Sequence, residues 1–358
     1  MRITKSTSMI ITFTMTLAML VSCNESNPTT DINTKEQTND TLQSIIVQID
    51  TNANLHPVCV NNKAGYINNE GIIVIQPQFE LACDFYDNRA MIKENDKFGY
   101  IDKTGKIITN AWFESAYDFS EGMACVKIGD KWGYIDKTGK LTIEPQFDSP
   151  GSFSEGLACV EVNNKWGYID NTGTFVIAPQ SYFLASKFSE DLARVSKKVN
   201  GNLRTLYIDK TGKTIINAVF DDDNDFSDGL ALVEKNELMG YIDKNGKFVI
   251  PPQFEFADSF REGLANVKIG NKWGYIDKTG KTIIEPQYDY AEGFYEGLAY
   301  VRVNGLWGYI DKTGNYIVKP KFTTATIFIN GAAGVSTNGQ FGYINKQGVM
   351  VWEDKGCN

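Results

Sequence analysis

The residues able to do chemistry are few. The chain holds one histidine, His56, at the start of its first strand-like segment. A Ser/His/Asp or Cys/His nucleophile would have to rest on that imidazole, and no serine sits in a G-x-S-x-G setting. His56 therefore reads as structural. The sharpest metal-like run is Asp221-Asp222-Asp223-Asn224-Asp225, whose D-x-D-x-D spacing is that of a calcium loop. Phe226 stands where the sharp-turn glycine belongs and Leu232 where the bidentate glutamate belongs, so no metal is expected. Cys59, Cys83, Cys125, Cys159 and Cys357 lack zinc spacing. Cys125 and Cys159 occupy equivalent places in adjacent copies of a repeat, as a disulfide between rungs in an oxidising compartment would require. Two half-buried thiols are the simpler expectation. Glu121, Glu155, Glu262 and Glu296 each precede a glycine and are expected to cap the tight turn there, not to form a cation ladder. No catalytic residue, metal ligand or cofactor is assigned, and the ligand-contacting residues stay open. A hydrolase is the last of the readings.

The elements that would position any site come from a repeat. The ten residues Lys131 to Lys140, K-W-G-Y-I-D-K-T-G-K, return unchanged at Lys272 to Lys281. The tyrosine of this phrase recurs at Tyr66, Tyr100, Tyr134, Tyr168, Tyr207, Tyr241, Tyr275, Tyr309 and Tyr343. The steps are 34 residues except for one of 39, which makes nine units with one insertion of five.

Each unit reads as three strands. In Leu157 to Val162, Ala158, Val160 and Val162 share one face, and Cys159 and Glu161 the other. A polar turn leads to a second strand, Lys165 to Ile169, and D-x-x-G at Asp170 to Gly173 closes a hairpin onto a third, Thr174 to Ile177. Asp at the first and Gly at the fourth position suit a type I turn. Asn68 and Asn345 replace the Asp in two units, as a hydrogen-bonding cap allows and a catalytic carboxylate would not. The connectors carry two aromatics six residues apart, such as Phe113 and Phe119, with a small residue midway. That spacing predicts one helical or 3₁₀ turn. A glycine such as Gly122 or Gly156 then leads into the next strand. Asn88 and Asp191 replace it, so the position is expected to be left-handed.

The first copy starts near His56 and the last ends after its third strand at Trp352, so no unit is split between the ends. The expected fold is all-β: nine three-stranded meanders of about 34 residues stacked as an open β solenoid. The alternative is a ring resembling a β-propeller, whose blades normally have four strands. Unit five departs from the rule. Thr205-Leu206 replaces Trp-Gly, and the first hairpin loop is lengthened around Ser196 to Gly201. Function, if local, is expected where the phrase fails, around Lys197 to Leu206.

With Trp-Gly-Tyr-Ile-Asp, the D-K-T-G turn, P-Q-F and F-S-E-G-L-A in hand, the chain resembles the WG-repeat family, also called KWG repeats, from about residue 55 to 352. Full Trp-Gly stands at Trp132, Trp166, Trp273 and Trp307; Ala64, Phe98, Met239 and Phe341 replace the Trp in four units. The resemblance implies an all-β repeat module, often on bacterial envelope or signalling proteins, without general enzymatic activity. It carries over no ligand-contacting residues.

Arg2 and Lys5 precede an apolar run from Met9 to Val21 that ends in Leu20-Val21-Ser22-Cys23. This resembles a bacterial lipoprotein signal, which implies cleavage before Cys23 and acylation of that residue; two or more acyl chains anchor stably. Asn24 to Asn54 is polar and reads as a tether. The domains are thus a signal peptide at 1–22, a lipidated Cys23 with its tether at 23–54, and the array at 55–354. Net charge is −9 without a basic stripe, which argues against nucleic acid. The expected protein is a non-enzymatic module of a bacterial envelope membrane, the outer rather than the inner, binding a protein or peptide partner. The alternative is a glycan or peptidoglycan binder that uses exposed Trp faces.

Overall fold

The computed structural model describes residues 53–109, 111–199, 202–217 and 220–354. The signal segment 1–22, Cys23, the tether up to residue 52 and Cys357 lie outside the described residues. A short strand considered at Ile45 to Ile49 also lies outside them.

Among the described residues there are nine antiparallel sheets, seven of four strands and two of three, and no helix. Unit three shows the plan: Ser115–Ala116, Met123–Ile128, Lys131–Asp136 and Leu141–Phe147 lie side by side in chain order. The last three are the expected meander. The first is a correction, because the connector forms a short strand where aromatic spacing predicted a helical turn. Ala116 opposes Val126, and the chain stays extended.

The spacing serves a different purpose: it wraps the connector around the tyrosine of the preceding unit. The Tyr100 ring meets the Phe119 ring edge-on at 5.0 Å, and its hydroxyl donates to the Tyr117 carbonyl at 2.6 Å. The same bond runs from Tyr66 to Cys83, Tyr134 to Gly151, Tyr168 to Ser186 and Tyr207 to Asn224. It recurs from Tyr241 to Asp258, Tyr275 to Glu292 and Tyr309 to Thr326. A tyrosine in the core needs such an acceptor, because an unpaired buried hydroxyl costs about 1–3 kcal/mol.

Period-two alternation gives each sheet two buried faces. Ala158 and Val160 pack with Tyr134 and Phe147 of unit three, whereas Leu157 and Cys159 pack with Ala193 and Val195 of unit five. The core is therefore a series of sandwiches between consecutive units.

The ends of this series meet. The Tyr343 hydroxyl donates to the Pro57 carbonyl at 3.0 Å, and the His56 ring lies 5.5 Å from that of Tyr343, in the role that phenylalanine plays elsewhere. The Gly71 turn lies against the backbone of Val351. The ring is the arrangement adopted, and the open solenoid is not. The connector strand supplies the fourth strand that a blade normally has, and Tyr343 closes the circle without exchanging strands between the ends.

Two recurrent backbone sites explain the phrase. A Cβ on Gly133 would lie 2.5 Å from the Ile143 carbonyl oxygen, where the third strand shifts register across the second. No side chain fits there, hence Gly after Trp. The second site is the turn before each first strand. Glu121 and Gly122 both have positive φ, 51° and 85°, and Ser120 and Met123 exchange two backbone hydrogen bonds around them. This is a two-residue hairpin of the I′ kind. Asn88 and Asp191 also have positive φ, as expected of the residues that replace this glycine.

Candidate functional site

The D-x-x-G carboxylates are consumed by their turns. Asp136 Oδ1 accepts from the Thr138 amide at 2.8 Å, the Thr138 hydroxyl at 2.6 Å and the Lys140 amide at 3.2 Å. Asn68 accepts from the Glu70 and Ile72 amides, and Asn345 from those of Gln347 and Val349.

The repeated glutamates do cap tight turns, but those of the following unit. Glu121 accepts from the Glu155 and Gly156 amides at 2.7 and 2.8 Å, and Glu262 from Gly297 at 3.0 Å. Glu296 accepts from the Gly331 amide at 3.0 Å. Glu155 accepts from the Glu190 and Asp191 amides, and Glu190 from Gly229. A lysine from the D-x-x-G or N-x-x-G turn of the following unit adds its charge: Lys210 lies 3.2 Å from Glu155, Lys312 3.1 Å from Glu262 and Lys346 2.9 Å from Glu296. A groove of about 410 Å³ crosses these turns in units six to nine, with Arg261 stacked 4.8 Å over the Tyr295 ring. Its acids Asp228, Glu262 and Glu296 are the same caps, already bonded to backbone amides.

His56 is buried, bonded through Nε2 to Asn69 Oδ1 at 2.7 Å. Burial depresses its pKa below the ordinary histidine value. It closes the ring, and among the described residues its ring contacts are Asn69 and Tyr343. Cys83, Cys125 and Cys159 carry free thiols, so the disulfide considered between Cys125 and Cys159 is not formed. Burial pushes all three thiols up to about 12.

The acidic run at 221–225 is satisfied from within the protein. Arg194 lies 2.7 Å from Asp225 and 3.2 Å from Asp223, and its guanidinium also donates to the Asp223 carbonyl. Burial pulls the Arg194 pKa down, but the two carboxylates outweigh it and hold the charge. Burial pushes the Asp223 carboxyl up, and Arg194 opposes that shift. The cation beside these carboxylates is a guanidinium 29 residues before Asp223 and 31 before Asp225.

Of the four tryptophans in full Trp-Gly pairs, Trp132 is buried and Trp166, Trp273 and Trp307 are half-buried. Neighbouring rings lie against three of them: Tyr117 lies 5.3 Å from Trp132, and Tyr290 lies 5.3 Å from Trp273 and 5.7 Å from Trp307. Arg302 stacks on Trp307 at 5.6 Å.

Unit five has the most distinctive surface. Its insertion lengthens the strands instead of forming a loop. Ala193–Val199 and Asn202–Ile208 pair as far as Lys197 with Arg204, Lys198 with Leu203 and Val199 with Asn202. Leu203 is 53% exposed at this tip. At its base the connector pairs Leu184 with Ser196, leaving Phe183 68% and Leu184 49% exposed. Exposed apolar groups thus lie beside Lys197, Lys198 and Arg204 on a chain whose net charge is −9. Phe183 stands where the other connectors carry an acid or Thr323, whereas Leu184 stands where another connector carries Phe256, also exposed, so only Phe183 departs from the repeat.

The nine sheets and their closure define a nine-bladed β-propeller built from one repeated blade. A family profile, "WG containing repeat", matches in eight copies between residues 65 and 340, leaving out 199–206 in unit five. The chain belongs to that family. A search of curated protein sequences finds no match. Among solved structures, Hsv2 of Kluyveromyces lactis is 8% identical over 64% of this chain and 94% of its own, with TM-score 0.40. AztD of Citrobacter koseri is 14% identical over 85% of this chain and 94% of its own, with TM-score 0.41. At these TM-scores neither likeness bears on function.

Proposed function

We propose that this propeller is a non-enzymatic module of a bacterial envelope, anchored through acyl chains on Cys23, that binds a protein or peptide partner with unit five. The observation that carries this reading is the lengthened hairpin, where Phe183, Leu184 and Leu203 are exposed beside Lys197, Lys198 and Arg204. Exposed apolar side chains rimmed by charge mark protein contacts, and a local cationic tip favours an acidic partner segment. Regularity elsewhere supports the same view: the repeated acids and tyrosines are committed to joining the blades. The rings already lying against Trp132, Trp273 and Trp307 favour this reading over glycan stacking.

The test is a crosslinking pull-down from envelopes with the full chain as bait. A specific partner should be captured and then lost with K197E/K198E/R204E. Capture that is unchanged in this variant would move the contact elsewhere on the ring. Replacing Cys23→Ala should release the protein from membranes, and retention would refute the anchor.

A further inference from the structure

The first-strand residue opposite the phrase tyrosine is Arg194 in unit five and Asn266 in unit seven. In unit five this position carries the chain's own cation. The Arg194 guanidinium donates to the Asp223 carbonyl of the following connector and pairs with the Asp223 and Asp225 carboxylates. Asn266 makes the matching bond in unit seven, from Nδ2 to the Ala291 carbonyl of the following connector at 2.8 Å. Its second amide hydrogen goes to Asp258 Oδ2. Glu292, next to Ala291, accepts from the Tyr290 and Tyr300 hydroxyls at 3.3 Å each. Two half-buried carboxylates thus flank Asn266. Burial pushes both carboxyls up, and the charge of Asp258 adds to the shift of Glu292. Among the described residues Arg261 is the cation whose charge reaches Asp258, but its guanidinium is stacked 4.8 Å over the Tyr295 ring and pairs with neither acid.

Asn266 itself is 0% exposed, and its Oδ1 has no hydrogen-bond partner. A buried acceptor left bare is costly, and the donors around it are already spent on Asp258, Ala291 and Glu292. The site therefore offers acceptors and negative charge, and what completes it must bring donors and positive charge. No third acid, histidine or cysteine joins the two carboxylates among the described residues, a thin ligand set for a divalent metal. We propose that Asp258, Asn266 and Glu292 form a binding site for a guanidinium group, supplied from outside the chain where Arg194 supplies it in unit five. A guanidinium keeps its charge when desolvated, and its planar fork of five N–H donors can serve two carboxylates and an amide oxygen together. The side chains that would hold its place are shorter here, because Asn266 and Ala291 stand where Arg194 and Asp223 stand.

This site is separate from the unit-five tip, and its test does not depend on the partner proposed there. Agmatine, which carries a guanidinium and an amine, is titrated calorimetrically into the full-length protein at constant ionic strength. Putrescine, which carries amines alone, and calcium are titrated in parallel. Saturable binding of agmatine and not of putrescine is expected, with a Tm that rises as agmatine is added. E292Q and D258N should each weaken binding by roughly tenfold or more while keeping the near-UV circular dichroism of the wild type. N266R, which copies unit five, should raise the Tm without ligand and abolish agmatine binding. Absence of saturable agmatine binding, equal affinity for putrescine, calcium binding that E292Q removes, or agmatine binding unchanged in N266R would each overturn the guanidinium site.

Discussion

Tyr343 donates its hydroxyl to the Pro57 carbonyl 286 positions away, at 3.0 Å. The eight other phrase tyrosines make this bond to the connector of the unit that follows. Unit one has no preceding connector strand among the described residues, so Tyr343 takes a carbonyl of the first strand itself. In unit three the matching carbonyl, that of Cys125, is occupied by the Tyr117 amide.

Tyr343→Phe should therefore cost about 1–2 kcal/mol, similar to Tyr168→Phe, because each leaves an acceptor without its donor. Urea unfolding of both variants measures it. If the array were open, the change at the last unit would be silent.

The two kinds of phrase glycine should respond differently to alanine. Gly133→Ala drives a Cβ to 2.5 Å from a backbone oxygen and should cost several kcal/mol, on the order of a severe core defect. Gly156 has open space around its Cβ position and a φ of 86°, so Gly156→Ala should cost only about 1 kcal/mol. Equal effects would show that the strand around Gly133 shifts to admit a Cβ, and that close approach does not set the need for Gly in the Trp-Gly pair.

The pH profile should have two limbs. Threonine hydroxyls, then backbone amides, hold Asp136, Asp170, Asp209, Asp277 and Asp311 below the usual carboxylate range. A depressed folded pKa gives stability that is present above the unfolded value of about 3.9 and lost as pH falls further. Burial pushes Asp84 and Asp118 the other way, each up to about 6. Keeping them ionised costs stability above that pH, and the cost is relieved as pH falls towards about 4. His56, buried and depressed, works against this relief below its ordinary value. The comparison is thus between wild type and Asp118→Asn: the variant should have the higher Tm at pH 8 and a smaller difference at pH 5. An advantage that is the same at both pH values would contradict the raised pKa.

Cys83, Cys125 and Cys159 should resist alkylation at pH 8 in the native protein and react on unfolding without any reductant. Counting labels by mass checks this. Labelling of Cys125 or Cys159 in the native state would mean that its blade interface opens.

Much of the blade was legible because its signals are local. The Asp or Asn of each turn, the glycines and the alternation of Ala158, Cys159 and Val160 follow from bonds within one unit or its direct neighbours. The connector was misread because aromatics three and three apart fit a helical turn as well as a chain wrapping around Tyr100. The repeat leaves the ring as the alternative to the solenoid, because closure depends on curvature summed over nine units, and on His56 and Pro57 meeting Tyr343. Arg194 was missed because its pairing with Asp223 and Asp225 is a contact between two units that no repeat position announces.

The capping glutamates have a consequence for how such a protein can change. Glu121 completes Gly156, and Glu262 completes Gly297, so each of units two to eight carries a hook for its successor, and each of units three to nine an eye for its predecessor. Copies bearing both present the same joint to either neighbour, and the segments 131–140 and 272–281 are identical. Whole blades are portable; half blades are not. A duplication in phase with the 34-residue step preserves every joint, while one out of phase strands a hook without its eye.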